Sequence, residues 1–239
     1  GRKTRPGEKV DLSSGLSMNK SLPWSQTLIE RYSNRWLWKE LGLSLNEGLP
    51  WTEMLIRQFE NRWGWRELGL SQNPGLPWNK HIIDKYDQRW NWKVLSVNED
   101  IPWTKNLLNE YGWDWASLSR NKALPWTNEL IKQNVRHWSW SDLSSSGGLP
   151  WTQELIKLYS DRWKWGKSGL SSNEGLPWTE ELIARYAERW EWKSGAQGLS
   201  SNKALPWSLR FIDRYLSQWD WGALSKNRGV YEALADHIT

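Results

Sequence analysis

The chain has 239 residues, a formal net charge of +5 and no cysteine, which excludes disulfide bonds and thiolate metal sites. Its 24 tryptophans, beside 7 tyrosines and 2 phenylalanines, far exceed the share found in ordinary globular proteins. No apolar run approaches the roughly 20 residues that cross a bilayer, and the basic start is not followed by the apolar core of a signal peptide. We therefore expect a water-soluble protein without membrane contact, with an intracellular location as the default.

The positive charge lies mainly near the amino-terminal end. Residues 1–23 carry five basic and two acidic side chains, a net of +3, whereas the remaining residues carry 27 basic and 25 acidic side chains, a net of +2. This near balance gives little support for a polyanionic partner. Because the chain begins with Gly1 rather than methionine and enters its repeats without a lead element, we expect it to be cut from a longer protein.

One tripeptide, Leu-Pro-Trp or Ile-Pro-Trp, recurs eight times at spacings of 27, 27, 25, 23, 25, 27 and 29 residues. Each copy adds a Trp-x-Trp pair, so three tryptophans in each of eight copies account for all 24. The anchor tryptophans are Trp24, Trp51, Trp78, Trp103, Trp126, Trp151, Trp178 and Trp207. The pairs are Trp36/Trp38, Trp63/Trp65, Trp90/Trp92, Trp113/Trp115, Trp138/Trp140, Trp163/Trp165, Trp190/Trp192 and Trp219/Trp221. This regularity predicts a tandem-repeat protein, whose copies are numbered 1 to 8 in chain order.

A first helix is predicted directly after each anchor tryptophan. The next residue is always Ser, Thr or Asn, whose side-chain oxygen can accept from the free N–H groups of a helix's first turn. These residues are Ser25, Thr52, Asn79, Thr104, Thr127, Thr152, Thr179 and Ser208. On a helical wheel, the apolar residues that follow in copy 7 fall within an arc of about 100°. We therefore expect one amphipathic helix to carry Leu182, Ile183, Tyr186 and Trp190.

A second, shorter helix is predicted to begin at the second tryptophan of the pair. The residue between the paired tryptophans is often another capping residue, as in Asn91, Asp114, Ser139 and Asp220. A turn of the form Leu-Ser-x-Asn then leads to the next anchor. Its asparagine is expected to hydrogen-bond local backbone or to adopt a left-handed conformation. The asparagines are Asn46, Asn73, Asn98, Asn121, Asn173, Asn202 and Asn227.

Two short helices in so few residues cannot enclose a core, so each copy must bury its tryptophans against its neighbours. We predict an all-α fold, an α-solenoid of eight helix-turn-helix repeats over residues 16–223. A basic tail at residues 1–15 precedes it, and a degenerate half-repeat at 224–239 follows it. Copy 4 lacks two residues between Tyr111 and Trp113, and copy 7 has extra residues at 194–198. Both changes are expected to disturb the stacking locally.

The predicted architecture resembles helical-repeat solenoids such as tetratricopeptide and pentatricopeptide arrays. Those arrays have longer periods, about 34 residues in the tetratricopeptide case, and lack this tryptophan spacing. The resemblance implies a binding scaffold and assigns no role to individual residues.

Candidate catalytic groups are sparse. The three histidines, His81, His137 and His237, are scattered, and no glycine loop or metal-ligand spacing occurs. We therefore expect neither an enzyme nor a cofactor or metal. The tryptophans are interpreted as core rather than as an aromatic strip for a ligand, and the capping hydroxyls as caps rather than nucleophiles.

A basic residue often precedes the first tryptophan of the pair, and another often lies four residues earlier. Residues four apart share one side of a helix, so stacked copies would align these cations into a ridge. The candidate partner-binding residues are Arg31, Arg35, Arg62, Lys85, Arg89, Arg162, Arg185, Arg189 and Arg214. The alternative is that each arginine packs over an aromatic ring or pairs with a neighbour's acid.

These patterns leave several functions open. The long repeated surface favours a scaffold for a protein or peptide, and the ridge favours an acidic partner. A nucleic-acid-binding protein would use the ridge for phosphates and exposed aromatic rings for bases. A carbohydrate-binding tryptophan surface is a third alternative.

Overall fold

A computed structural model describes residues 13–235 of the chain, and that range contains short helices and no strand. The α-helices are α1 (Ser13–Ser17), α2 (Gln26–Arg31), α3 (Glu53–Gln58), α4 (Lys80–Lys85), α5 (Trp92–Leu95), α6 (Lys105–Glu110), α7 (Trp115–Leu118), α8 (Asn128–Gln133), α9 (Trp140–Ser145), α10 (Gln153–Leu158), α11 (Glu180–Arg185), α12 (Leu209–Arg214), α13 (Trp221–Leu224) and α14 (Arg228–Leu234). Short 3₁₀-helices span Leu43–Leu45, Leu70–Gln72, Leu170–Ser172, Gly195–Gln197 and Leu199–Ser201. The basic tail predicted at 1–15 and the end of the predicted half-repeat reach outside the described residues.

The predicted caps begin the first helix of every copy. In each, the side-chain oxygen of the Ser, Thr or Asn accepts a hydrogen bond from the backbone N–H three residues later, as Thr179 does from Leu182 at 3.1 Å. The same bond begins α2, α3, α4, α6, α8, α10 and α12. Each of these helices has six residues, and its third and fourth residues are buried, as Leu182 and Ile183 are, except that Leu28 of α2 is only partly buried. The predicted starting points are confirmed.

The prediction that one helix carries the residues from Leu182 to Trp190 is wrong. α11 ends at Arg185, and Tyr186 already has a non-helical backbone with φ −120° and ψ 28°. The chain then turns back, so that the indole N–H of Trp190 donates to the carbonyl oxygen of Ile183 at 3.0 Å. That carbonyl lies in the last turn of the helix and has no helical partner, so the indole replaces the missing turn. The first tryptophan of the pair makes the corresponding bond in seven copies, and in copy 4 Trp113 donates to the carbonyl one residue earlier in the helix, that of Leu107.

The segment after the second tryptophan has two forms. In copies 3, 4, 5 and 8, two residues separate that tryptophan from the Leu of Leu-Ser, and the predicted α-helix is present as α5, α7, α9 and α13. In copies 1, 2, 6 and 7 the separation is four or six residues, and a loop ending in a 3₁₀-helix replaces it. The same backbone hydrogen bond closes the segment in both forms. The N–H of Leu95 donates to the carbonyl oxygen of Asn91 at 2.8 Å, and the N–H of Leu70 donates to the carbonyl oxygen of Gly64 at 2.7 Å. The extra residues therefore form a bulge in the backbone, while the hydrogen bond that closes the segment is unchanged.

The bulges force unusual backbone. Leu41, Leu68 and Ser168 have φ of 56°, 54° and 56°, a left-handed conformation that is unfavourable for residues with a side chain. Glycine follows each of them. At Gly69 an added Cβ would lie 2.1 Å from the carbonyl oxygen of Gly64, so the frame requires glycine at this close approach.

A serine ladder joins neighbouring copies. The backbone N–H of the residue between the paired tryptophans donates to the hydroxyl of the preceding Leu-Ser serine at 2.8–3.0 Å. The donor/acceptor pairs are Leu37/Ser17, Gly64/Ser44, Asn91/Ser71, Asp114/Ser96, Ser139/Ser119, Lys164/Ser144, Glu191/Ser171 and Asp220/Ser200. The two residues are 20 apart except in copy 4, where they are 18 apart. The variation in repeat length therefore falls largely outside the span between the serine and its donor.

The turn asparagines form a second, buried ladder. Asn73, for example, accepts from Gly75 N–H through its side-chain oxygen at 2.8 Å and donates to the carbonyl of Ser44, one copy earlier, at 2.9 Å. Its φ is −77°, so the local hydrogen bond is confirmed and the left-handed alternative is not adopted. Corresponding amide bonds to the preceding copy link Asn46, Asn98, Asn173, Asn202 and Asn227 to Ser17, Ser71, Ser144, Ser171 and Ser200.

The tryptophans form the core, as predicted. Of the 24, all inside the described range, only Trp221 is more than half exposed, at 54%. The third tryptophan of a copy packs on two rings of the next one: Trp65 lies 4.5 Å from Tyr86 and 5.0 Å from Trp90, between ring centroids. Where these contacts are described, a copy therefore completes its core with the next one.

The two irregular copies behave differently. In copy 4 the shortened turn gives Tyr111 an extended backbone, and its ring stacks on Trp92 at an interplanar angle of 23°, against 42° for Tyr86 on Trp65. The predicted disturbance is thus confirmed there. In copy 7 it is wrong, because the insertion forms the turn at Gly195–Gln197 and Trp192 still packs 4.9 Å from Trp219.

The contacts divide the chain into two compact units, Gly1–Ser117 and Leu118–Thr239. Every inter-copy contact described above lies within one of them. Within each unit, short helices recur at the spacing that the sequence predicts.

Candidate binding surface

Four of the nine candidate residues, all of them arginines, lie over a ring of the preceding copy. Their guanidinium carbons are 5.2–5.5 Å from the ring centroids of the third tryptophan: Arg62 over Trp38, Arg89 over Trp65, Arg162 over Trp140 and Arg189 over Trp165. A cation over an indole face is attracted by the negative charge of the ring face.

Hydrogen bonds to the preceding copy fix three of these guanidinium groups. Arg189 donates to the carbonyl of Ser160 at 2.8 Å and to the carboxylate of Asp161 at 2.9 Å. Arg62 and Arg89 make the corresponding bonds to Ser33/Asn34 and Glu60/Asn61. These arginines therefore join neighbouring copies. This structural role accounts for their recurrence without any need for a binding partner.

Three further candidates lie on the first helices and use their charge in other contacts. Lys85 pairs with Glu53 of the preceding copy at 2.9 Å, and Arg214 pairs with Glu180 at 3.4 Å. Arg31, Lys85 and Arg214 each also lie 5.5–5.7 Å from the ring centroid of the tyrosine that follows them. All three lie at the surface.

Arg35 and Arg185 are the two other candidates. Both are exposed; Arg185 is the last residue of α11, and Arg35 lines a groove beside the first copy. Seven of the nine cations thus lie against an aromatic ring, and Arg35 and Arg185 are exposed. Their role in binding a partner stays a prediction.

One surface is exposed in every copy and differs from copy to copy. We call it the helix face: the second, fifth and sixth residues of the eight first helices. In chain order it comprises Thr27/Glu30/Arg31, Met54/Arg57/Gln58, His81/Asp84/Lys85, Asn106/Asn109/Glu110, Glu129/Lys132/Gln133, Glu154/Lys157/Leu158, Glu181/Ala184/Arg185 and Arg210/Asp213/Arg214. Its charges are mixed, with acids beside bases on most helices.

A charged cluster joins the helix faces of copies 3 and 4. Lys80 contacts Glu110 at 2.7 Å and Asp84 at 3.0 Å, while the hydroxyl of Tyr111 donates to Asp84. The Tyr111 bond, followed by that of Lys80, holds the pKa of the Asp84 carboxyl below its ordinary value. Burial is the main cause that raises the pKa of Tyr111. The cluster is a polar clip at the junction where the repeat is shortest.

The sequence only partly predicts the arginine contacts between copies. The alternative that an arginine packs over a ring was open, but the ring's position in the preceding copy was not predicted. A usable signal existed: an arginine stands before Trp63, Trp90, Trp163 and Trp190, where the preceding copy supplies a third tryptophan.

Within residues 13–235, no group of three or more His, Asp or Glu side chains is arranged to hold a metal ion. None of the described helices has the length and apolar character needed to cross a membrane. No protein-family model matches the chain, and neither curated proteins nor solved structures give a significant match.

Proposed function

We propose that this chain is a non-catalytic binding scaffold, an α-solenoid of eight tandem repeats that recognises a protein or peptide partner through its helix face. The partner segment is acidic, and it contacts cations such as Arg31 and Arg185 that project from this surface.

One observation carries the proposal. The groups that recur along the repeats, namely most of the tryptophans, the Leu-Ser serines and most turn asparagines, are engaged within a copy or with its neighbour. The helix face is exposed in all copies and carries a different set of side chains in each. A repeated frame with a variable exposed surface supports recognition of an extended partner.

The test begins with partners captured on the immobilised chain and measured by calorimetric titration. Arg185→Glu places a negative charge on the helix face without removing a junction contact, so it should leave the fold intact and weaken binding of an acidic partner severalfold. Lys203→Glu is the matched control, because Lys203 is also exposed but lies in the turn before the eighth anchor. If both reversals weaken binding equally, the helix face is not the recognition surface.

The salt dependence of binding distinguishes the nucleic-acid alternative from a protein or peptide partner. A random oligonucleotide that binds with a steep decrease of affinity at rising salt, and that competes with the captured partner, would replace the protein partner in this proposal. An unchanged partner affinity in the presence of the oligonucleotide supports the scaffold. A small-angle scattering profile of a globule, rather than of an extended repeat array, would contradict the solenoid.

A further inference from the structure

The fifth and sixth residues of the first helices differ in charge between the two units. In the first unit three cations and three acids cancel at these positions: Arg31, Arg57, Lys85, Glu30, Asp84 and Glu110. In the second unit four cations and one acid leave a net charge of +3: Lys132, Lys157, Arg185, Arg214 and Asp213. We call the positions of the second unit the last-turn strip. Its residues are Lys132/Gln133, Lys157/Leu158, Ala184/Arg185 and Asp213/Arg214.

Neighbouring helices bring these two positions together. Gln58, a sixth residue, donates to Glu30, a fifth residue of the preceding helix, at 2.7 Å. In the second unit Arg214 and Ala184 stand at the same two positions of α12 and α11, and they line one groove. The last-turn strip therefore continues from each helix of the unit to the next.

Leu158 interrupts this basic strip with an apolar side chain. The residues at its position in the other seven copies are polar. Three of them, Gln58, Lys85 and Arg214, bond to the preceding helix. Leu158 is 67% exposed, so its side chain gains neither that contact nor burial. One exposed leucine is common on a protein surface, and its setting among cations is what distinguishes Leu158.

Three cations without an ion pair lie around Leu158. Lys157 precedes it on α10, and the register of the helices places Lys132 beside it and Arg185 beside Lys157. All three cations are exposed, and none forms an ion pair with another described residue. The acids of these helices, such as Glu154, stand at the second position, about one turn away. The strip thus presents positive charge around an apolar centre.

We propose that the last-turn strip binds an acidic peptide segment whose central apolar side chain lies on Leu158, while its carboxylates contact Lys132, Lys157 and Arg185. This inference rests on the proposed function and narrows it to one part of the helix face and one type of sequence. The carboxylates complement the three cations, and the apolar side chain removes the exposed surface of Leu158 from water. An extended segment fits because the strip crosses successive helices.

Fluorescence polarisation with two short acidic peptides tests the site. The peptides are identical except that the central residue is leucine in one and serine in the other. Lys157→Glu should weaken binding of the leucine peptide severalfold. Arg57→Glu is the matched control and should bind like the wild type, because Arg57 is exposed at the same helix position in the first unit, where the charges cancel. Equal weakening by both reversals would overturn the assignment to the strip.

The pair of peptides tests the apolar contact. The wild type should bind the leucine peptide about fivefold more tightly than the serine peptide, whereas Leu158→Ser should bind both equally. Met54→Ser is the matched control: it replaces another exposed apolar side chain of the helix face and should keep the preference. A wild type without the preference, or a preference that survives in Leu158→Ser, overturns the proposal.

Failure of this site differs from failure of the proposed function. If neither peptide binds the wild type, the strip is not a site for acidic peptides, while the captured partner and Arg185→Glu still decide the scaffold. A single-stranded oligonucleotide that binds more tightly than the leucine peptide, and that loses affinity in Lys157→Glu, would identify a phosphate site and overturn the proposal.

Discussion

At the scale of single residues, tryptophan recurs because each indole supplies both apolar area and a donor. In every copy the anchor indole donates to the backbone carbonyl five residues earlier, as Trp178 does to Asn173 at 3.0 Å. The first indole of the pair completes the end of the helix, as Trp190 does. Phenylalanine or leucine would supply less apolar area and would leave these carbonyls without the indole donor.

Trp190→Ala should lower the free energy of unfolding by about 3 to 5 kcal/mol, the usual cost of emptying a buried aromatic site. Trp221→Ala, at the exposed indole, should cost far less. Urea unfolding of both variants checks the difference. If Trp190→Ala kept full stability and lost only partner binding, the tryptophans would be ligand contacts.

Arg189→Ala should cost about 1 to 2 kcal/mol, because it removes the contact over Trp165 and the hydrogen bond to Ser160. Arg185→Ala, four residues earlier on the exposed face, should change stability by less than about 0.5 kcal/mol. Thermal unfolding of the two variants compares them. Equal effects would remove the distinction between junction arginines and helix-face arginines.

At the scale of elements, the sequence predicts where a helix begins better than where it ends. The capping residues after the anchors locate all eight first helices, and Asn91, Asp114 and Asp220 cap second helices as predicted. Ser139 precedes α9 without making the side-chain cap bond. The early ends and the bulges were not predictable from periodicity, because they depend on bonds to Leu-Ser backbone and on indole donors from other turns.

Leu68→Gly should raise the free energy of unfolding by up to about 1 kcal/mol. Leucine at a φ of 54° costs about 1 to 2 kcal/mol, which exceeds the extra chain entropy that glycine loses on folding. Gln72→Gly, in the adjoining 3₁₀-helix, gains no such relief and should be destabilising. Chemical denaturation distinguishes them; a destabilised Leu68→Gly would mean that this exposed leucine contributes packing.

Tyr111→Phe should raise the pKa of Asp84 by removing its largest stabilising hydrogen bond. Because that pKa is depressed in the folded chain, the clip stabilises the fold above the ordinary carboxyl range and is lost as pH falls through the depressed value. A ¹³C titration of the carboxyl resonance measures the change. Tyr86→Phe is the control, since the Tyr86 hydroxyl is buried without a hydrogen-bond partner among the described residues; an equal shift in both variants would contradict the assignment.

At the scale of the whole molecule, the sequence predicts the repeat, the dependence of each copy on its neighbours and the helical class. It does not predict the serine and asparagine ladders, since Ser171 and Asn202 are 31 residues apart and their pairing appears only when copies stack. Nor do composition and spacing identify a partner, because the variable helix face carries charges of both signs.

If each copy depends on its neighbours for its core, no copy folds by itself. The most direct test of this dependence is equilibrium unfolding of a nested series taken from the second unit, from copy 6 alone (residues 148–173) to two, three and more copies. Because each copy completes its core with its neighbours, the single copy should be unfolded by circular dichroism, and the free energy of unfolding and its denaturant slope should increase with every added copy. A single copy that folds cooperatively, or a free energy that does not depend on the number of copies, would contradict it.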